Sequence, residues 1–449
     1  MSTQTIKEQS AYSGPFRGLQ ERLHRKSAPW VERLREGAFD RFDQLGFPTT
    51  HQEDWKYTNV APLSRMNFEP VSESQAGSEV TKALQLESFV YDESRRSQLV
   101  FVNGVYRSDL SELNALPHGV VAMDLGDAIR DERYSDVIRE HLAREADYND
   151  DGFTALNTAF LSSGAFLLIP KGVVVDSPVH LLFFADANAS PLVSFPRVLI
   201  VAQEQSSATV IESYSSAADS VYWTNAVVEI VLEESARLEH YKLQHESIEA
   251  YHTAKTTAGL GRNSVFDTTT ITLGAKLSRH DIRIRLDHES AVCHVDGLYI
   301  VAGGQHTDTH SLIDHLVPHC TSRQLYKGIL DGKSRAVFNG KVFVHQGAQQ
   351  TDAQQTNRNL LLSKDARVDT KPQLEIFADD VKCAHGATVG QLEEEELFYL
   401  ISRGLHPELA QNLLTFGFAE EVIDKIKIES IKKQLGEAVL NRLHARLEV

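Results

Sequence analysis

The chain has 449 residues, and 42% of them are hydrophobic, which is enough for a large core spread over two or three domains. Its formal net charge of −17 argues against binding to nucleic acid or to an anionic membrane, because both require a basic surface. No run of about 18 apolar residues occurs, so we expect no membrane-spanning helix. Only three cysteines occur, without the spacing of a disulfide framework, and we therefore expect a cytoplasmic protein.

Residues 1–150 are predicted to form a helical and mixed N-terminal domain. Apolar residues at helical spacing predict one long helix over Gln20–Leu45, which Gly46 should end. The segment Gln98–Tyr106 is typical of a strand with a tight turn at Asn103–Gly104.

Residues 151–391 have a different character, because short β-branched segments alternate with small or polar turns and no long helical pattern remains. A small polar residue followed by alanine or valine opens segments at nearly regular intervals, at Ser207, Ser235, Ser264 and Ser290. Repeats of this length without helices predict stacked β coils, that is, a β-solenoid. Evenly spaced strands also fit a β-sandwich or a jelly roll, and the periodicity leaves both architectures open.

Residues 392–449 are predicted to form a C-terminal helical domain. Gly404 is expected to end the first helix of this domain. Pro407 suits the first turn of a second helix, which we expect to end near Gly417. A third, charge-rich helix is predicted over Glu420–Leu447.

Two glycine-rich segments are rejected as nucleotide sites. Gly328–Ser334 has one residue fewer between its glycines than a phosphate-binding loop requires, and a strand pattern follows it where a helix N-terminus is needed. Gly259–Ser264 lacks the third glycine and the helix of a dinucleotide fingerprint.

Histidines are dense between residues 280 and 345, and two pairs, His306/His310 and His315/His319, have the i,i+4 spacing of metal ligands on a helix. Neither pair carries the glutamate of a zinc-protease motif, and the surrounding sequence is typical of strands and loops. We therefore interpret them as histidines of coils or interfaces rather than as a metal site.

Cys383 and His385 form the most informative pair in the sequence. In an extended segment, residues i and i+2 point to the same face, and both side chains can ligate a soft or borderline metal. Lys382 and a protonated His385 are expected to lower the pKa of the Cys383 thiol. Cys293 and Cys320 are instead interpreted as small buried hydrophobic residues. A structural metal site needs about four ligands, so either the missing ones come from elsewhere or the pair has another role.

The chain from residue 150 to about 430 carries several motifs that are too long to be accidental. They are Asn157–Phe160, Ile169–Val173, Asn339–Gln349, Asp352–Ser363, Lys371–Ile376, Asp379–Gly390 and Leu397–Gly404. Together they resemble the SufB/SufD family of iron–sulfur cluster assembly proteins. Within the family, Gly46–Thr58 is similar to the amino-terminal signature of the SufD branch. No cysteine precedes Cys293, whereas the SufB branch is usually richer in cysteine.

The resemblance implies a mainly β fold, in which a right-handed parallel β-helix is flanked by N- and C-terminal helical domains. It also implies a subunit without enzymatic activity that pairs with a SufB-like subunit through the β-helix. Helices over residues 392–428 would bind a SufC-like ATPase, and the subunit would contribute to iron acquisition. Because a β-helix ends in an unpaired edge, a homodimer of the isolated chain is also expected.

The resemblance further implies that His385 and Cys383 lie at the SufB interface and help to hold the nascent cluster, with His385 the stronger candidate. The isolated chain would then bind no tight cofactor, and a transient Fe–S cluster would form in the complex. Two alternatives remain open. One is a metal-dependent β-helix enzyme that uses the histidine-rich coils, and the other is a purely structural pairing module.

Overall fold

The computed structural model describes residues 11–24, 27–72, 86–186, 191–216 and 219–444. Its strands form two sheets of a parallel β-solenoid. Sheet A contains β1 Glu69–Pro70, β4 Val121–Asp124, β5 Gly164–Ile169, β7 Leu192–Ser194, β8 Arg197–Ala202, β10 Tyr222–Leu232, β12 Tyr251–Leu260, β14 Leu277–Leu286, β16 His306–His315, β18 Arg335–Val344 and β20 Arg367–Ile376. Sheet B contains β2 Gln98–Val102, β3 Val105–Tyr106, β6 Val179–Ala185, β9 Ser207–Ser216, β11 Arg237–His245, β13 Val265–Thr272, β15 Val292–Val301, β17 Thr321–Leu330, β19 Asp352–Leu361 and β21 Lys382–Gly390.

From β8 onward, successive strands alternate between the two sheets, so that each coil adds one strand to sheet A and one to sheet B. The main strands of each sheet pair in parallel and in register with the equivalent strand of the next coil. This arrangement confirms the β-solenoid and excludes the sandwich and the jelly roll. Side chains alternate between a lumen, which contains most of the apolar core, and the outer faces of the two sheets.

The sequence repeat has a definite cause at one corner of the solenoid. Two residues before each of the strands β9, β11, β13, β15, β17 and β19, a residue adopts a positive φ, and these residues are Gln205, Ser235, Asn263, Ser290, His319 and Gln350. Each is followed by a small side chain that is at most 1% exposed: Ser206, Ala236, Ser264, Ala291, Cys320 and Thr351. A sharp corner needs the left-handed conformation and leaves little room for the residue inside it. The repeat predicted at Ser235 and Ser290 lies on this corner, whereas Ser207 and Ser264 lie just after it.

The N-terminal part forms α1 Ser13–Leu23, α2 Pro29–Leu45, α3 Ala61–Arg65, α4 Leu125–Arg130, α5 Ser135–His141 and α6 Gly152–Ala159. The single helix predicted over Gln20–Leu45 is wrong, because a new helix begins at Pro29. Proline lacks the N–H that a helix interior requires and is favoured at a first helical position. The stop at Gly46, with φ of 64°, and the turn at Asn103–Gly104, with φ values of 50° and 80°, are confirmed.

The C-terminal part forms α7 Glu394–Ser402, α8 Pro407–Ile423 and α9 Glu429–His444. The predicted stop at Gly404 is confirmed, but the stop near Gly417 is wrong. Helix α8 continues because Ala419, Val422 and Ile423 are buried against sheet B, and this packing outweighs the low helix propensity of glycine. The third helix begins at Glu429 rather than Glu420, and the predicted end at Leu447 lies outside the described residues. None of the helices in the described ranges is long and apolar enough to cross a membrane.

The two ends of the solenoid are built differently. At the N-terminal end, β4 pairs antiparallel with β5, while β2 pairs with β6 and carries β3 in a hairpin. At the C-terminal end, β20 and β21 are the last strands of their sheets, and no other described strand pairs with their outer edges. The division of the chain into domains at residues 150 and 391 stays a prediction.

Candidate functional site

Cys383 and His385 lie on the edge strand β21, where their in-register neighbours on β19 are Ala353 and Gln355. Paired residues of parallel strands project to the same face, and Ala353 and Gln355 are both buried in the lumen. Cys383 and His385 therefore both face the mouth of the lumen, about 6.5 Å apart along the strand. Cys383 packs against the apolar core, whereas His385 is exposed.

The environment of the Cys383 thiol differs from the expectation drawn from the sequence. Lys382 and His385 do not lower the pKa of this thiol; burial raises the pKa of Cys383, and the charge of Asp352 raises it further. For Lys382, strand alternation explains the error, since this residue projects away from the lumen face on which Cys383 packs. The thiol is therefore protonated at neutral pH, and a metal ion would have to displace the proton.

The other two cysteines are buried parts of the solenoid. Cys293 and Cys320 are fully buried free thiols, which confirms that they act as small hydrophobic residues. Burial raises the pKa of both thiols, so neither is a reactive thiolate. Cys293 belongs to the lumen ladder that ends at Cys383, and Cys320 fills one of the corners.

The histidine pairs singled out by their spacing lie in or beside β16, not on a helix. His306 shares a hydrogen bond with the Thr58 hydroxyl at 2.8 Å, and His315 with Ser322 at 2.9 Å. His310 lies 3.2 Å from Asp308. Within the described ranges, no three His, Cys, Asp or Glu residues are grouped closely enough to hold a metal ion. His306 and His315 thus connect β16 to neighbouring segments, whereas His310 contacts a carboxylate of its own strand.

The two rejected glycine segments are parts of ordinary coils. Gly328 lies inside β17, where a side chain would collide with the ring of Tyr299 at 2.1 Å. Gly332 forms a corner with φ of 64°, and β18 follows at Arg335. Gly259 lies inside β12, and Gly261 follows at the next corner. Strands and corners provide no helix N-terminus for a phosphate group.

The sequence did not reveal that the middle of the lumen holds buried charges. Glu212 accepts from His240 at 2.9 Å and pairs with Lys242 at 3.5 Å, and Lys242 donates to His252 at 3.0 Å. His252 in turn lies 2.8 Å from Glu246. Burial opposes ionisation of Glu212, yet Lys242 and His240 outweigh it and hold the pKa of its carboxyl below the usual range. Burial lowers the pKa of both Lys242 and His252.

The alternating pattern of β11 explains why these charges were missed. Its residues His240, Lys242 and Gln244 alternate with Tyr241 and Leu243. Polar residues at every second position normally face water. Here the apolar face is turned outward and is covered by α8 and α9, so the polar face lies in the lumen.

Apolar side chains are exposed at the open end and on the neighbouring helices. Phe377 is 59% exposed and Val389 is 48% exposed, next to the unpaired edges. On α7, which contains no buried residue, Phe398 is 72% exposed. Leu409 and Leu413 of α8 are about half exposed. Contiguous exposed apolar residues of this size mark interaction surfaces in soluble proteins.

Comparisons with known proteins agree with this architecture. The model described as "SUF system FeS cluster assembly, SufBD core domain" matches residues 183–418, and the "SufBD protein N-terminal region" matches residues 6–181. An iron-sulfur cluster assembly SufBD family protein of Synechocystis is 36% identical over 444 residues, covering 97% of this chain and 94% of that protein. The iron-sulfur cluster assembly protein SufD of Escherichia coli is 33% identical over 409 residues, covering 90% of each chain. The SufB protein of Bacillus subtilis is 28% identical over 329 residues, covering 72% of this chain and 69% of that protein.

The fold is a parallel β-helix with helices packed on the outer face of a sheet. Its open end is typical of a protein that associates with another subunit. The chain belongs to the SufBD family of iron–sulfur cluster assembly proteins, and its role lies in the SUF system. This confirms the resemblance drawn from the sequence motifs. The SufD relative covers more of the chain than the SufB relative, as Gly46–Thr58 led us to expect.

Proposed function

We propose that this chain is a subunit without enzymatic activity that pairs with a SufB-like subunit and helps to hold a nascent Fe–S cluster at their interface. The observation that carries the proposal is the open end of the solenoid, where a thiol and an imidazole lie at the mouth of a lumen that no described strand closes. The cluster is the cargo of the complex rather than a resident cofactor of this chain. Iron acquisition by the complex would draw on the same imidazole.

The unpaired edges support pairing with another β-helix. Strands β20 and β21 contain ten and nine residues, and each pairs on one side only within the described chain. Long exposed edges offer rows of free N–H and C=O groups to another strand. Phe377 and Val389 add apolar surface beside these edges. A second β-helix with similar edges would cover both, and a second copy of this chain could do so when the partner is absent.

The ligand pair supports a shared cluster site. Cys383 and His385 supply two donors that suit iron, whereas a closed site needs about four. Within the described residues, no third His, Cys, Asp or Glu is grouped with this pair closely enough to hold a metal ion. A partner that closes the lumen would bring its own ligands to within bonding distance. His385 is the stronger ligand candidate because it is exposed, whereas the partly buried Cys383 thiol would have to lose its proton.

The exposed face of α7 and α8 supports docking of a SufC-like ATPase. Phe398, Leu409 and Leu413 present apolar surface, while buried residues of α8 fix that helix on sheet B. Helix α7 packs on α8, and it begins four residues after β21 ends. An ATP-driven movement of the bound ATPase would therefore act close to the open end and could reshape the cluster interface.

The test is anaerobic cluster formation in a complex reconstituted from this chain, a SufB-like subunit and a SufC-like ATPase. His385→Ala should leave the complex intact and lower the cluster yield by about tenfold, since a ligand is lost. His118→Ala removes an exposed histidine from a distant turn and is the matched control. A wild-type cluster yield from His385→Ala would show that His385 is not a ligand of the cluster. If His385→Ala combined with Cys383→Ser also gave a wild-type yield, a structural pairing module would be the better account.

The metal content of the isolated chain separates this proposal from a metal-dependent β-helix enzyme. We expect no stoichiometric, tightly bound metal, because no three His, Cys, Asp or Glu residues of the described ranges are grouped closely enough to hold one, and His280, His306 and His315 already share hydrogen bonds with hydroxyl groups. A tightly bound metal in the absence of the SufB-like subunit would favour the enzyme.

A second experiment addresses the ATPase surface. Leu413→Asp should weaken binding of the SufC-like ATPase by about tenfold or more, because it places a charge in an apolar contact. Leu440→Asp on α9, where the side chain is 39% exposed, is the matched control. Equal ATPase binding by the two variants would reject α7 and α8 as the docking face.

A further inference from the structure

A row of side chains in the lumen leads directly to His385. Its in-register members on sheet B, from the middle of the solenoid to the open end, are His240, Thr268, Val295, Gln324, Gln355 and His385. The two members next to His385 are glutamines, although their side chains are buried in the lumen. Gln324 is 3% exposed and Gln355 is 1% exposed. Burying an amide is costly unless its donors and acceptors are paired.

The two amides form a directional hydrogen-bond relay. Gln324 Nε2 donates to the Ser311 hydroxyl on the opposite sheet at 2.8 Å, and Gln355 Nε2 donates to Gln324 Oε1 at 2.7 Å. Gly340 leaves room for the amide of Gln355, because a Cβ there would lie 2.5 Å from Gln355 Nε2. The amide of Gln355 is thus held between Gln324 and the opposite sheet.

The last atom of this hydrogen-bonded row is an acceptor, Oε1 of Gln355. Oε1 of Gln355 is buried and has no hydrogen-bond partner within the described part of the chain. One N–H of its Nε2 donates to the preceding coil, and Oε1 is the atom of this amide that is buried without a partner among the described residues. The in-register residue of the following coil is His385. Adjacent strands are about 4.8 Å apart, so an imidazole on β21 that points into the lumen can reach the amide of its in-register neighbour on β19.

We propose that Gln355 is a positioning residue that accepts a hydrogen bond from one ring N–H of His385. A neutral imidazole has one N–H and one lone pair, so fixing the N–H fixes the nitrogen that is left for a metal. Gln355 thereby turns the lone pair of His385 out of the lumen, toward the partner subunit. The inference rests on the proposed role of His385 in holding the nascent cluster, and it adds the group that orients this ligand.

The contact can be tested on the isolated chain without a cluster. With ring-¹⁵N histidine at pH 9, long-range proton–nitrogen correlations report which ring nitrogen of His385 carries the proton, and His385→Asn identifies its signals. The wild type should show one tautomer. Gln355→Met keeps the length of the side chain, removes the amide and should shift the signals toward an average of two tautomers. Gln355→Glu restores an acceptor and should return the signals to the single tautomer.

Gln354→Met is the matched control. Gln354 is exposed on the opposite face of the same strand, so this substitution should leave the His385 signals unchanged. If Gln355→Met fails to fold, Gln324→Met combined with Gln355→Met removes both buried amides and avoids an unpaired acceptor on Gln324. A single tautomer in a folded variant without the Gln355 amide overturns the inference, as does a tautomer mixture in the wild type.

The reconstituted complex then separates the inference from the proposed function. Gln355→Met should slow cluster formation by about tenfold while leaving co-purification with the SufB-like subunit unchanged, as expected for a group that orients a ligand. If Gln355→Met loses the single tautomer but His385→Ala gives a wild-type cluster yield, the hydrogen bond from His385 to Gln355 is supported and His385 is rejected as a ligand. If Gln355→Met keeps the single tautomer but His385→Ala loses the cluster yield, His385 is supported as a ligand and Gln355 is rejected as the residue that orients it.

Discussion

The two ends of the solenoid solve the same physical problem in different ways. A stack of coils exposes its lumen and two strand edges at each end, and solenoids need capping elements at their termini. At the N-terminal end, β2, β3 and β4 cover the edges of β6 and β5, and Phe101 is fully buried. At the C-terminal end, β21 is almost entirely exposed and β20 is mostly half-buried. Among the described residues, the chain closes one end itself and leaves the other open.

The difference between the two ends indicates that the N-terminal end contributes mainly to stability and the C-terminal end mainly to association. The closed end contains fully buried aromatic contacts, such as Phe101 on Phe183 at 4.8 Å between ring centroids. The open end contains the Cys383–His385 pair and apolar side chains that no described segment covers. Substitutions at the closed end should therefore act on folding, and those at the open end on association.

The largest expected effect is on stability, and it should differ between the ends. Phe101→Ala removes a ring that is 0% exposed and should lower the free energy of unfolding by about 3–5 kcal/mol. Phe377→Ala, at a position that is 59% exposed, should change it by less than about 0.5 kcal/mol. Denaturant unfolding followed by circular dichroism measures both. Similar losses for the two variants would mean that the open end also contributes to folding.

The next effect concerns association at the open end. Phe377→Asp combined with Val389→Asp should weaken binding to the SufB-like subunit about 100-fold, or roughly 2.7 kcal/mol, because two carboxylates would be buried in an apolar seam. Titration calorimetry or surface plasmon resonance measures this affinity. Val174→Asp, at a position that is 58% exposed in an earlier coil, serves as the control. If Val174→Asp weakened binding as strongly, the contact surface would not be confined to the open end.

The smallest effect tests how the N-terminal segment is held on the outer face of sheet A. The buried Thr58 hydroxyl donates to Asp308 at 2.5 Å, and Asp308 also pairs with Arg279 at 2.7 Å. Burial opposes ionisation of Asp308, but Arg279 and the hydrogen bonds from His310 and Thr58 hold the pKa of its carboxyl below the usual range. Thr58→Val should therefore cost about 1.5–3 kcal/mol at neutral pH.

The pH dependence of the Asp308 contribution has a definite sign. A carboxyl with a lowered pKa in the folded state contributes stability above its unfolded pKa of about 4, and this contribution is lost as the pH falls further. The difference in stability between wild type and Asp308→Asn, which removes the titrating group, should accordingly shrink below about pH 4. Unfolding curves measured between pH 7 and pH 3 would show this, and a constant difference would mean that the charge of Asp308 contributes nothing to stability.

Much of the fold could be predicted from the sequence, because the solenoid repeats a local requirement. The corner residues with positive φ and the small residues after them recur at regular intervals, so Ser235 and Ser290 revealed the period. The sequence could not place the break before Pro29 or the continuation of α8 through Gly417. The first error ignored the local restriction that proline imposes. The second arose because helix packing on sheet B decides the outcome.

The candidate site could be predicted only in part. Alternation along an extended segment was sufficient to place Cys383 and His385 on one face. It could not give the protonation state of Cys383, which depends on burial against coils distant in sequence. Nor could it identify Gln355, because a single glutamine in a strand carries no signal until the register of β19 and β21 is known.

Hydrogen–deuterium exchange on the free chain and on its complex with the SufB-like subunit tests the central claim most directly. Binding should strongly slow amide exchange over β20 and β21, where free edge groups become paired, and should leave β2, β3 and β4 unchanged. Unchanged exchange over β20 and β21 in a complex that has formed would contradict the account, because the open end would then not be the surface that the partner covers.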